Sequence, residues 1–247
     1  MKLSNSLTKM GVLIPPLPWD KPKVRKSVDA DVVVTLHGLW RSVSAMEPVA
    51  KAMHAQGFET VGVPYGSFRL GLDAIVSQVI GLLEPWLESG RKIHFVTHSL
   101  GGVVVKRLVE TLLAEGSDIN FGRVVMLAPP HQGSEIVDWL SRSLVRRLLG
   151  PAGEFLTSEK MQEPQDALNF PEEVEAAVIM GKSSALPLFR KLLEASNDGI
   201  VSVEKGKLYG IKEFKVVEAD HTFISSEKQV IGMVERFIEF GQTDGKS

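Results

Sequence analysis

The sequence predicts an α/β fold: a mostly parallel central sheet with helices on both faces. Short β-branched runs alternate with longer stretches of helical periodicity along the chain, the pattern of strands joined by helical crossovers. The strand runs are almost continuously apolar rather than alternating, as strands covered on both sides require. The chain has 247 residues, 44% hydrophobic and 23% charged, which is ample material for one large core. No internal repeat, low-complexity tract or linker interrupts it. A single domain over 29–247 is therefore expected, preceded by an N-terminal arm over 1–28.

Composition excludes several functions. Net charge is −2, with no long block of like charge, so nothing marks a nucleic-acid partner. There are no cysteines, which rules out disulfides and thiolate zinc sites. The apolar part of the N-terminus, Met10 to Ile14, is too short for a signal-peptide core, and prolines follow at 15, 16 and 18. No run approaches the roughly 18 apolar residues of an integral membrane segment. A cytoplasmic location is the default expectation.

In chain order, Asp31 to Leu36 reads as a buried strand ending at His37-Gly38-Leu39-Trp40. Val43, Met46, Val49, Ala50 and Met53 have helical spacing, and Gly57 suits a C-terminal stop. A second strand, Phe58 to Val63, leads to an amphipathic helix over Leu70 to Leu87, bent near Pro85. The apolar run starting at Ile93 breaks at His98-Ser99, and a helix runs from Gly102 to about Ala114. Phe121 to Leu127 is the next strand, followed by Ala128-Pro-Pro-His-Gln-Gly133 and a helix over Ser134 to Leu149. Pro151, Pro164 and Pro171 make 150–171 irregular. A strand at Glu175 to Met180, a helix at Leu186 to Ala195, a strand at Phe214 to Glu218 and a helix at Glu227 to Phe240 complete the chain.

In such sheets ligands sit outside the carboxyl ends of the strands, so residues just after strands are the functional candidates. Ser99 lies on the bend between strand and helix, in Thr97-His98-Ser99-Leu100-Gly101-Gly102. A serine held there is a nucleophile elbow, its hydroxyl projecting clear of the sheet and the helix N-terminus offering N–H groups to an oxyanion. The usual pattern is G-x-S-x-G; Thr97 replaces the first glycine, at a position that needs only to be small. Gly101 and Gly102 let helix and strand close on each other.

A serine hydroxyl needs a base within hydrogen-bond reach, itself oriented by a third group. His221, after the last strand, is the candidate base, and His131, after Phe121 to Leu127, is its competitor. His37 reads as a brace for its loop, His98 points elsewhere on the bend, and His54 and His94 lie inside elements. Asp198, in Ser196-Asn-Asp-Gly-Ile-Val201, is the candidate acid; an Asx-turn residue is the plainer reading, and Glu135 is the reserve. The Leu100 N–H and the Leu39 N–H, with Trp40 as the alternative to Leu39, are the candidate oxyanion donors. Both are backbone groups, so side-chain replacement there should not abolish activity.

Together these pieces resemble the α/β-hydrolase fold of serine hydrolases of the lipase/esterase kind. The resemblance rests on His37-Gly38-Leu39-Trp40, the Ser99 elbow, Asn197-Asp198-Gly199-Ile200-Val201 and Asp220-His221-Thr222, in the order Ser, Asp, His. It covers Asp31 to the C-terminus. It implies a cofactor-free serine hydrolase cleaving small-molecule or lipid esters: Ser99 acylated, His221 as base and then acid, Asp198 orienting it, and water releasing the product.

Trp40, His131 and Trp139 are the candidate substrate-contacting side chains. The stretch 134–171 is the expected cap or lid. Ile136, Val137, Leu140, Leu144 and Leu148 recur there at helical spacing among Arg142, Arg146 and Arg147. A lid making peripheral contact with a lipid surface is one reading, and an ordinary helix over the sheet is the other. Gly181-Lys182-Ser183 lacks the first glycine of a phosphate loop, since position 176 is alanine. No histidine–carboxylate cluster has helical metal-ligand spacing. An acyltransferase or thioesterase with the same three residues, or a non-catalytic binding protein on this fold, are the alternatives; oligomeric state is not legible.

Overall fold

The computed structural model describes residues 21–142, 149–159, 161, 168–184 and 196–245. Its strands are β1 (Lys23–Arg25), β2 (Val32–Leu36), β3 (Glu59–Val63), β4 (Ile93–His98), β5 (Phe121–Leu127), β6 (Ala176–Gly181) and β7 (Glu213–Val217). They form one seven-stranded sheet in the order β1-β3-β2-β4-β5-β6-β7. Strands β2 to β7 pair in parallel, and β1 pairs antiparallel with β3. Every residue of β2, β3, β4 and β6 is buried, the polar Glu59, Thr60, His94, Thr97 and His98 included, which explains why these strands read as mostly apolar.

The helices that position the site are α1 (Glu47–Ala55), α2 (Leu72–Leu87), α3 (Leu100–Ala114), α4 (Glu135–Ser141), α5 (Gly150–Phe155) and α6 (Lys228–Phe240). Alternate strand residues face opposite layers, because side chains in a strand repeat every two residues. Val34, Leu36, Phe95, Val124 and Met126 pack with Ile75, Val79 and Leu83 of α2 and Leu100, Val104 and Leu108 of α3. Their neighbours Val33, Val96, Val125 and Leu127 pack with Val49 and Met53 of α1 and Val230, Val234 and Phe237 of α6. The sheet thus has two cores, one on each face, and the loops at its edge inherit a rigid base.

Several expectations shift. The first helix opens as a 3-10 turn, Val43–Met46, before α1 begins with Pro48 in its first turn. The bend helix starts at Leu100, two residues before the expected Gly102, so the turn after Ser99 is tighter than the sequence suggested. Residues 23–25, within the expected arm, form β1; Lys23 reaches Glu47 at 2.8 Å and Arg25 pairs with the same carboxylate. The expected irregular stretch contains α5, whose Ala152 and Gly153 are buried. α4 is capped by Ser134 and ends at Ser141, so the expected helix to Leu149 runs into residues outside those described, as does the one at 186–195. No described helix is long and apolar enough to cross a membrane.

Candidate active site

Four loops meet above the carboxyl ends of β2, β4, β6 and β7. The bend between β4 and α3 holds Ser99 at φ 52°, ψ −122°, a conformation that an L side chain adopts only under constraint. Its N–H donates to the Leu127 carbonyl at 2.8 Å, and its own carbonyl accepts from Gly102 N–H at 2.8 Å. The helix can start this close because a methyl on Gly101 would stand 2.7 Å from the Leu36 carbonyl oxygen. One on Gly102 would stand 2.6 Å from Pro129 Cβ. Trp40, after β2, and Ala128, after β5, also have positive φ, at 55° and 48°. Of the four described non-glycine residues at positive φ, all but Asp29 therefore lie along one edge of three adjacent strands.

The side chains predicted from sequence come together as follows. Ser99 Oγ lies 3.0 Å from His221 Nε2, and His221 Nδ1 lies 2.7 Å from Asp198 Oδ2. All three residues are buried, Asp198 completely. The carboxylate fixes the tautomer: Nδ1 carries the proton that it donates to Asp198, leaving the Nε2 lone pair for the serine hydroxyl. Asp198 is itself pinned, its Oδ1 accepting from the N–H groups of Ile200 at 3.0 Å and Val201 at 2.8 Å. Gly199, at φ 96°, makes the turn that aims those N–H groups back at the carboxylate. The Asx-turn and acid readings of Asp198 are therefore compatible, one oxygen serving each.

His221 is tied by its backbone as well. His221 N–H donates to the Asp198 carbonyl at 3.1 Å, and the His221 carbonyl accepts from His98 Nε2–H at 2.9 Å. The sequence reading set His98 aside, and the structure brings its ring to 4.9 Å from that of His221. Burial holds the His98 imidazole well below the usual histidine range, reinforced by the neighbouring His221 and Arg41 charges. The signal available in sequence was only its place beside Ser99.

Across the cleft, His37 braces the loop after β2. Its ring stacks on Tyr65 at 4.2 Å, its Nδ1–H donates to the Gly38 carbonyl at 2.9 Å, and the Tyr65 hydroxyl donates to the His37 carbonyl. Burial pushes the His37 imidazole down to about 4, so this brace is neutral at ordinary pH. The loop presses on Ser99: a methyl on Gly38 would stand 3.1 Å from Ser99 Cβ. Leu39 is the next residue of that loop, and Leu100, as the first residue of α3, carries one of the N–H groups a helix start leaves free.

A cavity of about 290 Å³ opens onto Ser99 and His221. Leu39, Trp40, Ile136, Val137, Leu140 and Leu156 make its wall mostly apolar, and Arg41 adds a guanidinium whose pKa burial lowers against the pull of Asp220. The other two candidate contacts lie elsewhere. Trp139 is half exposed on α4 and is not among the residues lining the cavity, which are its helix neighbours Ile136, Val137 and Leu140. His131 lines a second cavity, of about 230 Å³, with Lys106 and Phe155. Its Nε2 faces Met126 Sδ at 3.4 Å, and burial pushes its pKa down to about 3. Glu135, the reserve acid, accepts from Ser202 Oγ at 2.6 Å. Leu144, Arg146, Arg147 and Leu148 lie outside the described residues. Among those described, no group of three histidines and carboxylates could hold a metal ion.

No protein-family model and no curated protein matches the chain in sequence. Solved structures do match. The lipase BlEst2 of Bacillus licheniformis in its propeptide form superposes with a TM-score of 0.77 at 18% identity over 92% of this chain. The chain spans 55% of that longer protein. The mature form gives 0.74 at 19% identity, covering 90% of this chain and 98% of that one. The fold is the α/β-hydrolase fold. A metagenomic carboxyl esterase, MGS0156, shares the α/β-hydrolase core at a TM-score of 0.61 and 17% identity, over 87% of this chain and 73% of its own.

Proposed function

We propose that this α/β-hydrolase is a serine hydrolase of carboxylic esters. The observation that carries the reading is the unbroken line from Ser99 Oγ to His221 Nε2 at 3.0 Å and from His221 Nδ1 to Asp198 Oδ2 at 2.7 Å. Ser99 Oγ attacks the ester carbonyl as His221 Nε2 takes its proton. Asp198 stabilises the imidazolium without itself becoming protonated. The carbonyl oxygen, now negative, is received by the backbone N–H groups of Leu39 and Leu100, each such donor contributing about 10²–10³ in rate. His221 then protonates the leaving alcohol. A water molecule, deprotonated by the same Nε2, attacks the acyl-Ser99 ester, and the imidazolium returns that proton to Ser99 Oγ as the carboxylic acid leaves. The apolar wall around Trp40 and α4 suits an acyl chain; Ile136, Val137, Leu140 and Leu156, from the described part of the expected cap, line it, and the domain takes in β1, ahead of residue 29. The chemistry requires no cofactor.

The test is a chain-length series of p-nitrophenyl esters assayed on the wild type and on Ser99→Ala. Hydrolysis should fall by on the order of 10⁶ in kcat in the variant. Equal turnover by both proteins would remove the mechanism. Added alcohol acceptors separate hydrolysis from acyl transfer, through the product that captures the acyl group.

A further inference from the structure

We infer that His98 is a positioning residue, whose Nε2–H holds the His221 backbone so that the base reaches Ser99. The inference rests on the proposed roles of Ser99 and His221 and adds a fourth side chain to them.

His221 sits on the loop after β7, a connection with no regular structure of its own up to the 3-10 turn at Ile224–Ser226. Productive geometry needs the imidazole fixed to within about half an ångström. Rotation of the ring is set by Asp198, but a ring is only as well placed as the peptide that carries it. That peptide is held at both ends: its N–H by the Asp198 carbonyl at 3.1 Å and its carbonyl by His98 Nε2–H at 2.9 Å. His98 is the residue before the nucleophile, on the last position of a strand buried along its whole length. The bond therefore ties the loop-borne His221 directly to the strand that ends beside Ser99.

Neutral imidazole suits this place. A carbonyl partner requires Nε2 to carry the proton, which leaves Nδ1 as a lone pair, and that atom is buried without a hydrogen-bond partner. It lies beside Gly38, where a methyl would stand 3.1 Å from it. Nδ1 bears the desolvation cost of a buried nitrogen left unpaired, and the hydrogen bond the ring makes is the one its Nε2–H donates to the His221 carbonyl. A lysine or arginine could donate the same bond, but its charge would oppose the imidazolium that His221 must become. The ring also fills the gap between the His221 loop and the Gly38 loop, the two sides of the cleft.

The experiment compares wild type with His98→Leu, His98→Gln and His98→Asn, reading kcat and KM on one p-nitrophenyl ester and the rate of Ser99 labelling by a fluorophosphonate. Glutamine places an amide N–H where Nε2 stood, while asparagine stops one bond short. His98→Leu and His98→Asn should lose about 10–100-fold in kcat, since an ångström of misplacement costs on that order, with KM within about twofold. His98→Gln should recover most of the loss. Melting temperatures accompany each variant; should leucine prevent folding, the glutamine–asparagine pair decides. Wild-type kcat in His98→Leu, or equal activity in the glutamine and asparagine variants, would overturn the inference. A wild type that is neither labelled nor active would instead overturn the reading of Ser99 as nucleophile.

Discussion

Two histidines follow strands on the same edge of the sheet, and they end in opposite surroundings. His221 has a carboxylate on one ring nitrogen and a serine hydroxyl on the other. His131 has a thioether on one, lies near Lys106, and is pushed down to about 3 by burial. Both are buried, and each lines a cavity of a few hundred cubic ångströms. Position along a strand therefore selects candidates for a base, and only the partners of the second nitrogen make one. A buried imidazole with no carboxylate stays neutral and inert; one with an orienting carboxylate can accept a proton and hold it.

The largest effect that sharpens this contrast is the exchange of the two. His221→Ala should reduce kcat by on the order of 10⁶, because members of such a unit fail together. His131→Leu should leave kcat within a few-fold; comparable losses from both would break the distinction. Asp198→Asn comes next, with a loss of about 10⁴ in kcat, through the tautomer it would impose on His221. The pH dependence of stability separates the buried neutral histidines from the rest. His37 and His94 are lowered to about 4 and His131 to about 3, each chiefly by burial. Between those values and 6.5 the unfolded chain binds more protons than the folded one, so stability falls as pH falls through that window. The slope is at most about 1.4 kcal/mol per pH unit for each such histidine. Denaturant melts of His131→Leu should show a flatter pH dependence than the wild type from pH 6.5 downwards.

Long, strongly patterned features were legible in the sequence. Strands β2, β4 and β6 are legible because both their faces are covered, and asking which residues follow strands singles out Ser99, Asp198 and His221, which the structure brings together. Four features were not. Strand β1 is only Lys23–Arg25, with no apolar period; its pairing with β3 and the ion pairs to Glu47 make it a strand. Helix α5 carries two glycines and a proline, and forms where Ala152 and Gly153 are buried against the core, so tertiary packing overrides poor propensity. His98 was dismissed because its role depends on a loop more than a hundred residues away. Trp139 was counted as a contact from its position in an apolar helix, whereas the face of α4 that meets the cavity is that of Ile136, Val137 and Leu140.

The most direct measurement is covalent labelling of the intact protein with a fluorophosphonate, followed by peptide mass analysis. One modified serine, Ser99, is expected, with labelling lost in His221→Ala and kept in His131→Leu. Labelling at another serine, or at an undiminished rate without His221, would contradict it.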